Sequence, residues 1–120
     1  MANQDDNRRL EERTLAFAAE IVRFAGLIRK SEVALVVVRQ LVRSGTAIGA
    51  NYREANRAES REDFIHKTAI ALKEAAETEY WLDLCSRVEL GDAERLATLR
   101  QESTELLAIF TTINRRAKGR

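Results

Sequence analysis

The sequence predicts an all-α fold: an antiparallel up-down-up-down four-helix bundle. Three observations carry the bundle. The 120 residues include no proline and only five glycines, so long helices can run unbroken. Four segments place apolar residues at alternating steps of three and four, the rhythm of one buried helix face. The connections between them are short, which makes successive helices antiparallel neighbours.

The first helix, about residues 8–28, carries Leu10, Thr14, Phe17, Ile21, Phe24 and Ile28 on one face. Asp5, Asp6 or Asn7 is available to cap its first amides, and Arg29 and Lys30 suit its carbonyl end. The second, about 32–57, presents Ala34, Val37, Leu41, Ser44, Ile48, Asn51 and Ala55. The third, about 61–89, opens at Ser60, a capping residue, and its seam is Phe64, Thr68, Ala71, Ala75, Thr78, Leu82 and Cys85. Gly91 can take the left-handed conformation that stops it, and Asp92 can cap the fourth helix, about 93–116. That helix shows Leu96, Leu99, Ser103, Leu106, Phe110 and Ile113. Residues 1–120 form one domain, because a chain this short cannot supply a second core.

A hydrophobic share of 45% with 32% charged residues is too apolar for disorder and too charged for a lipid-embedded protein. No apolar run approaches the roughly 20 residues that span a bilayer, and the opening MANQDDNRRLEER has no signal-peptide core. A cytoplasmic protein without a membrane partner is expected. Its single cysteine, Cys85, cannot form an internal disulfide and is expected to pack in the core. The formal charge of +1 gives no bulk pull toward nucleic acid, so a binding surface must come from local clustering.

Helix two has too many apolar sides for one core. Besides its seam, Val38, Val42, Gly45, Gly49 and Tyr52 form a second row about 100° around. This row is read as a subunit interface, with burial inside one chain as the competing reading. Gly45 and Gly49 let a neighbouring backbone approach closely, and the alanines of helix three are the expected neighbour.

On the side of helix two opposite its core seam, Arg39, Arg43, Arg53 and Arg57 form a basic row that could contact phosphates or make ion pairs. Glu74 and Glu77 lie beside the seam of helix three and need partners. Arg43, Asn51, Arg53 and Glu54 are the candidates, together forming an interhelical or intersubunit polar network. A dimetal site would want two Glu-x-x-His elements, whereas the chain has one histidine, His66, so no metal or other cofactor is expected. Cys85 and His66 are about five turns apart on one helix, roughly 28 Å, so they cannot form a nucleophile and base pair. Neither a phosphate loop nor zinc spacing appears, and the chain is not expected to be an enzyme.

From Arg43 to Leu84 the sequence resembles the four-helix-bundle family that includes proteins encoded in intervening sequences of bacterial large-subunit ribosomal RNA genes. The most specific parts are the RSGTxIGANYREA run from Arg43 to Ala55, the DFIxK of Asp63 to Lys67, and the IALKEAxETxYWL run from Ile70 to Leu82. Ala47 stands where the family often has serine, and Thr68 where it often has leucine. The resemblance implies a closed bundle assembled as a homopentameric ring, without an established enzyme activity. Accessory proteins of diversity-generating retroelements look similar in fold, form such rings, and bind nucleic acid and a reverse transcriptase. The near-neutral charge counts against carrying that role across whole. The expectation is a non-enzymatic oligomeric scaffold or adaptor. The alternative is an accessory that binds RNA or DNA, or a nucleic-acid-processing protein, through the basic row of helix two.

Overall fold

In the computed structural model, which describes residues 4–119, four helices follow one another: α1 (Gln4–Gly26), α2 (Glu32–Ala55), α3 (Arg61–Arg87) and α4 (Ala93–Ala117). No strand occurs among the described residues.

Side-chain oxygens start three of them. The Ala34 amide donates to Ser31 Oγ at 3.0 Å, the Asp63 amide to Ser60 Oγ at 3.0 Å, and the Arg95 amide to Asp92 Oδ2 at 2.9 Å. α1 begins at Gln4, so Asp5, Asp6 and Asn7 lie inside its first turns rather than capping it. The acids there still complement the positive end of the helix dipole. Between α3 and α4 the chain turns through left-handed positions at Glu89 (φ 54°) and Gly91 (φ 87°), and the Leu90 amide returns to the Cys85 carbonyl at 2.9 Å.

α1 touches α2 and α4, and α3 touches α2 and α4, while neither diagonal pair comes together. The helices therefore lie side by side around one core in a rod of 44 × 22 × 21 Å. Phe17, Ile21 and Phe24 fill it from α1, Leu41 and Ile48 from α2, and Leu99, Leu106 and Phe110 from α4. α3 contributes the small Ala71 and Ala75, and these leave room for the large residues opposite. At the far end of α4 the buried residue is Asn114, with Ile113 only partly covered. Asn114 fits because its Nδ2 donates to Thr68 Oγ1 at 3.0 Å and to the Ile65 carbonyl at 3.1 Å.

The glycine row of α2 faces α1, not the alanines of α3. A Cβ on Gly45 would stand 3.0 Å from Ile21, and one on Gly49 would stand 2.7 Å from Thr14 Oγ1. Gly45, Gly49 and Tyr52 are buried within the chain, and Val38 and Val42 are partly buried against the same core. The second apolar side of α2 is thus covered by the preceding helix. α2 is also the one helix among the described residues long and apolar enough to match a membrane span. It passes that test, although no uninterrupted apolar run does, because its apolar residues outweigh the intervening Arg39, Gln40 and Arg43.

Candidate functional site

The four arginines of α2 separate by environment. Arg43 reaches across to α3, where its Nη1 donates to both Glu74 oxygens at 3.1 and 3.2 Å and its Nη2 donates to Glu77. Arg53 turns the other way, toward Glu11 of α1, at 3.6 Å. Arg39 is exposed, and Arg57 lies beyond the end of α2 in the turn to α3; neither has an ion-pair partner among the described residues. A step from Arg43 to Arg53 along a helix does not preserve its facing, so two members of the row meet different neighbours.

The predicted polar network is accordingly three separate clusters. The first is Arg43 with Glu74 and Glu77, joined by Trp81, whose Nε1 donates to Glu77 Oε2 at 3.0 Å. Glu74 keeps only 18% of its side chain in solvent, which explains why it holds a guanidinium. The Trp81 indole, followed by Arg43, holds the Glu77 carboxyl below its usual range. Hydrogen bonding to Glu77 and the charge of Glu74 raise the Arg43 guanidinium against a smaller opposing effect of burial.

Glu54 forms the second cluster alone with Lys67, at 2.8 Å. The third gathers Glu11, Asn56, Arg53 and Tyr52 between α1 and α2: Asn56 Nδ2 donates to Glu11 at 2.9 Å, and the Tyr52 hydroxyl donates to Asn7 Oδ1 at 3.3 Å. Asn51 joins none of them and donates to the Ala47 carbonyl of its own helix at 2.8 Å.

The chemistry these clusters allow is limited. With two carboxylates against one guanidinium, the Arg43 cluster carries net negative charge and repels a phosphate. No group of three or more potential metal-ligating side chains converges among the described residues. Cys85 is buried in the core, where desolvation pushes its thiol pKa up and away from the reactive thiolate. His66 is exposed.

Sequence reasoning missed Lys67, Glu11 and Trp81 as partners, and it assigned the surplus apolar surface of α2 to Val38, Val42, Gly45, Gly49 and Tyr52, whereas the exposed side chains are others. Val33 is 78% exposed, Val36 62%, Tyr80 60% and Val88 58%. Val33 and Val36 stand on α2, Tyr80 on α3 and Val88 at its C-terminal cap. Tyr80 stacks edge-on against Trp81 with ring centroids 5.0 Å apart. Exposed valine and aromatic side chains thus occur on both of the helices that approach each other most extensively. Their signal in the sequence was the EVALVVV run, which is apolar nearly all round.

Comparison with known proteins places this arrangement. No curated protein matches the chain. The chain is similar to a crystal structure of a protein of unknown function from the S23 ribosomal protein family of Bacteroides thetaiotaomicron. The two are 41% identical over 91% of this chain and 97% of that one, with a TM-score of 0.82. The family model of the 23S rRNA-intervening sequence proteins matches residues 8–112, nearly the whole of the four helices. The chain therefore belongs to the 23S rRNA-intervening sequence protein family.

Proposed function

We propose that the protein is a non-enzymatic oligomeric scaffold or adaptor, an antiparallel up-down-up-down bundle that associates with copies of itself. The single observation that carries this reading is the exposure of Val33, Val36, Tyr80 and Val88 on α2 and α3, which the register of the Arg43–Glu77 and Glu54–Lys67 pairs would align in one strip. Clustered apolar side chains on the surface of a small domain mark an interaction surface. The antiparallel order is supported by contacts whose numbers rise on α1 as they fall on α2: Asn7 with Tyr52, Thr14 with Gly49, and Ile21 with Gly45. A ring of five, the assembly that the family resemblance implies, is the form we assign.

The test is the mass of the native complex. A multiple of 13.6 kDa that collapses to the monomer in Val36→Lys/Val88→Lys, with helical circular dichroism retained, is the expected result. A wild-type monomer at micromolar concentration overturns the reading.

A second reading, nucleic-acid binding, is supported by Arg39 and Arg57, the two members of the basic row without an ion pair among the described residues. Titration with labelled RNA should then show binding that weakens as salt rises. Arg39→Ala/Arg57→Ala should abolish it, and Arg53→Ala should leave it nearly intact. No binding at low salt eliminates this reading.

A further inference from the structure

The four lateral seams of the rod are not held in the same way. α1 meets α2 through close approach at Gly45 and Gly49, and α3 meets α4 through the buried bonds of Asn114. α2 and α3 have the most extensive approach of all. The α1–α4 seam has the least, and the hydrogen bonds that cross it among the described residues are the part-buried and exposed ones of Arg13. A groove of about 990 Å³ runs along it, lined by Arg13, Ala16 and Phe17 of α1 and by Thr98, Leu99 and Glu102 of α4.

Ion pairs bridge this groove at two levels. Arg13 donates through Nε and Nη2 to the two Glu102 oxygens, both at 2.7 Å, and through Nη2 to Glu105 at 2.8 Å. Glu105 is steadied from behind by Gln101 at 2.9 Å. At the other level Arg95 stands 3.8 Å from Glu20, which Arg23 of its own helix also holds. The fork of Arg13 on Glu102 is a strong bidentate geometry, and the Arg95 contact is long and exposed.

We propose that Arg13, Glu102 and Glu105 form an ionic latch on the α1–α4 seam, and that this seam opens ahead of the rest of the rod, uncovering Phe17 and Leu99 while α1 stays on α2. This is a conformational device independent of the scaffold reading, because the exposed side chains of that reading belong to α2 and α3. Salt loosens the latch, since screening weakens ion pairs that keep part of their surface in water far more than it weakens buried apolar contact.

The test is thiol labelling of the full chain carrying Leu99→Cys, at a buried residue that lines the groove, with Cys85 as the internal reference for global opening. Each rate is normalised to the same thiol in the unfolded chain. The introduced thiol should label about tenfold or more faster than Cys85, because local openings cost less than global unfolding. Raising salt to about 1 M, where the Debye length is only ~3 Å, should speed it several-fold and leave Cys85 unchanged. Arg13→Gln should give the fast rate at low salt and remove the salt response. Equal rates for the two thiols overturn the proposal, and so does a fast rate indifferent to both salt and Arg13→Gln. Phe17→Cys, which lines the groove from α1, is read by the same outcomes if the leucine variant does not fold.

Discussion

Gly49 of α2 lies so close to Thr14 of α1 that an added Cβ would stand 3.0 Å from the threonine Cβ and 2.7 Å from its Oγ1. Thr14 is fixed by its own bonds to the Leu10 and Glu11 carbonyls at 3.0 and 2.9 Å, so it cannot turn aside cheaply. Gly49→Ala should therefore lower stability by about 1–3 kcal/mol, despite the roughly 1 kcal/mol that alanine gains in helix propensity. Gly45→Ala, facing the side chain of Ile21, should cost less. Urea denaturation of both variants checks the order.

Asn114→Ala removes two bonds, to the Thr68 hydroxyl and the Ile65 carbonyl, which stay joined to each other by the bond from Thr68 Oγ1 to the Ile65 carbonyl at 3.1 Å. Each lost bond is worth about 0.5–1.5 kcal/mol, so the variant should unfold at lower urea.

Acid should weaken the Arg43 cluster with a definite sign. Glu77 has its folded pKa depressed below 4.5, first by the Trp81 indole and then by Arg43. Its contribution is present above the unfolded value and is lost as pH falls through the folded one. Because both partners are substantially exposed, the amount is less than ~1 kcal/mol. In Glu77→Gln, stability followed from neutral pH down through the carboxylate range should fall less steeply than in the wild type. An unchanged slope contradicts this assignment.

At the alkaline end Tyr52 sets the opposite sign. Burial raises its pKa above 10.0, and the nearby Glu11 and Asp6 charges add to this against hydrogen bonding with Asn56. The neutral phenol is favoured in the fold, so stability should decline as pH rises from about 10 through the raised value. Tyr52→Phe should remove that decline and cost about 1 kcal/mol or less at neutral pH, since its hydroxyl bond to Asn7 is long at 3.3 Å.

The helices were legible because each must bury a stripe, and a stripe at steps of three and four leaves its mark at every turn. Phe17, Ile21, Leu41, Leu82, Leu106 and Phe110 were all visible this way. The exchange of Ile113 for Asn114 was not, because a buried amide is explained only by its partners on another helix. The glycine row was recognised as a close approach, but its neighbour was misassigned. Spacing gives the angle between two faces of one helix, yet it does not say whether α1 or α3 lies on a given flank. The same gap divided the polar network, for Arg43 was correctly joined to Glu74 and Glu77 while Arg53 and Glu54 found Glu11 and Lys67 on opposite sides.

Trp81 is the only tryptophan in the chain, and it is hydrogen-bonded to Glu77, half-covered, and edge-on to Tyr80. The molecule thus carries its own optical gauge at the border between charged and oily surface. Blue-shifted emission would signal that surface being covered, and quenching in acid would follow the carboxyl beside the indole, with no dye attached.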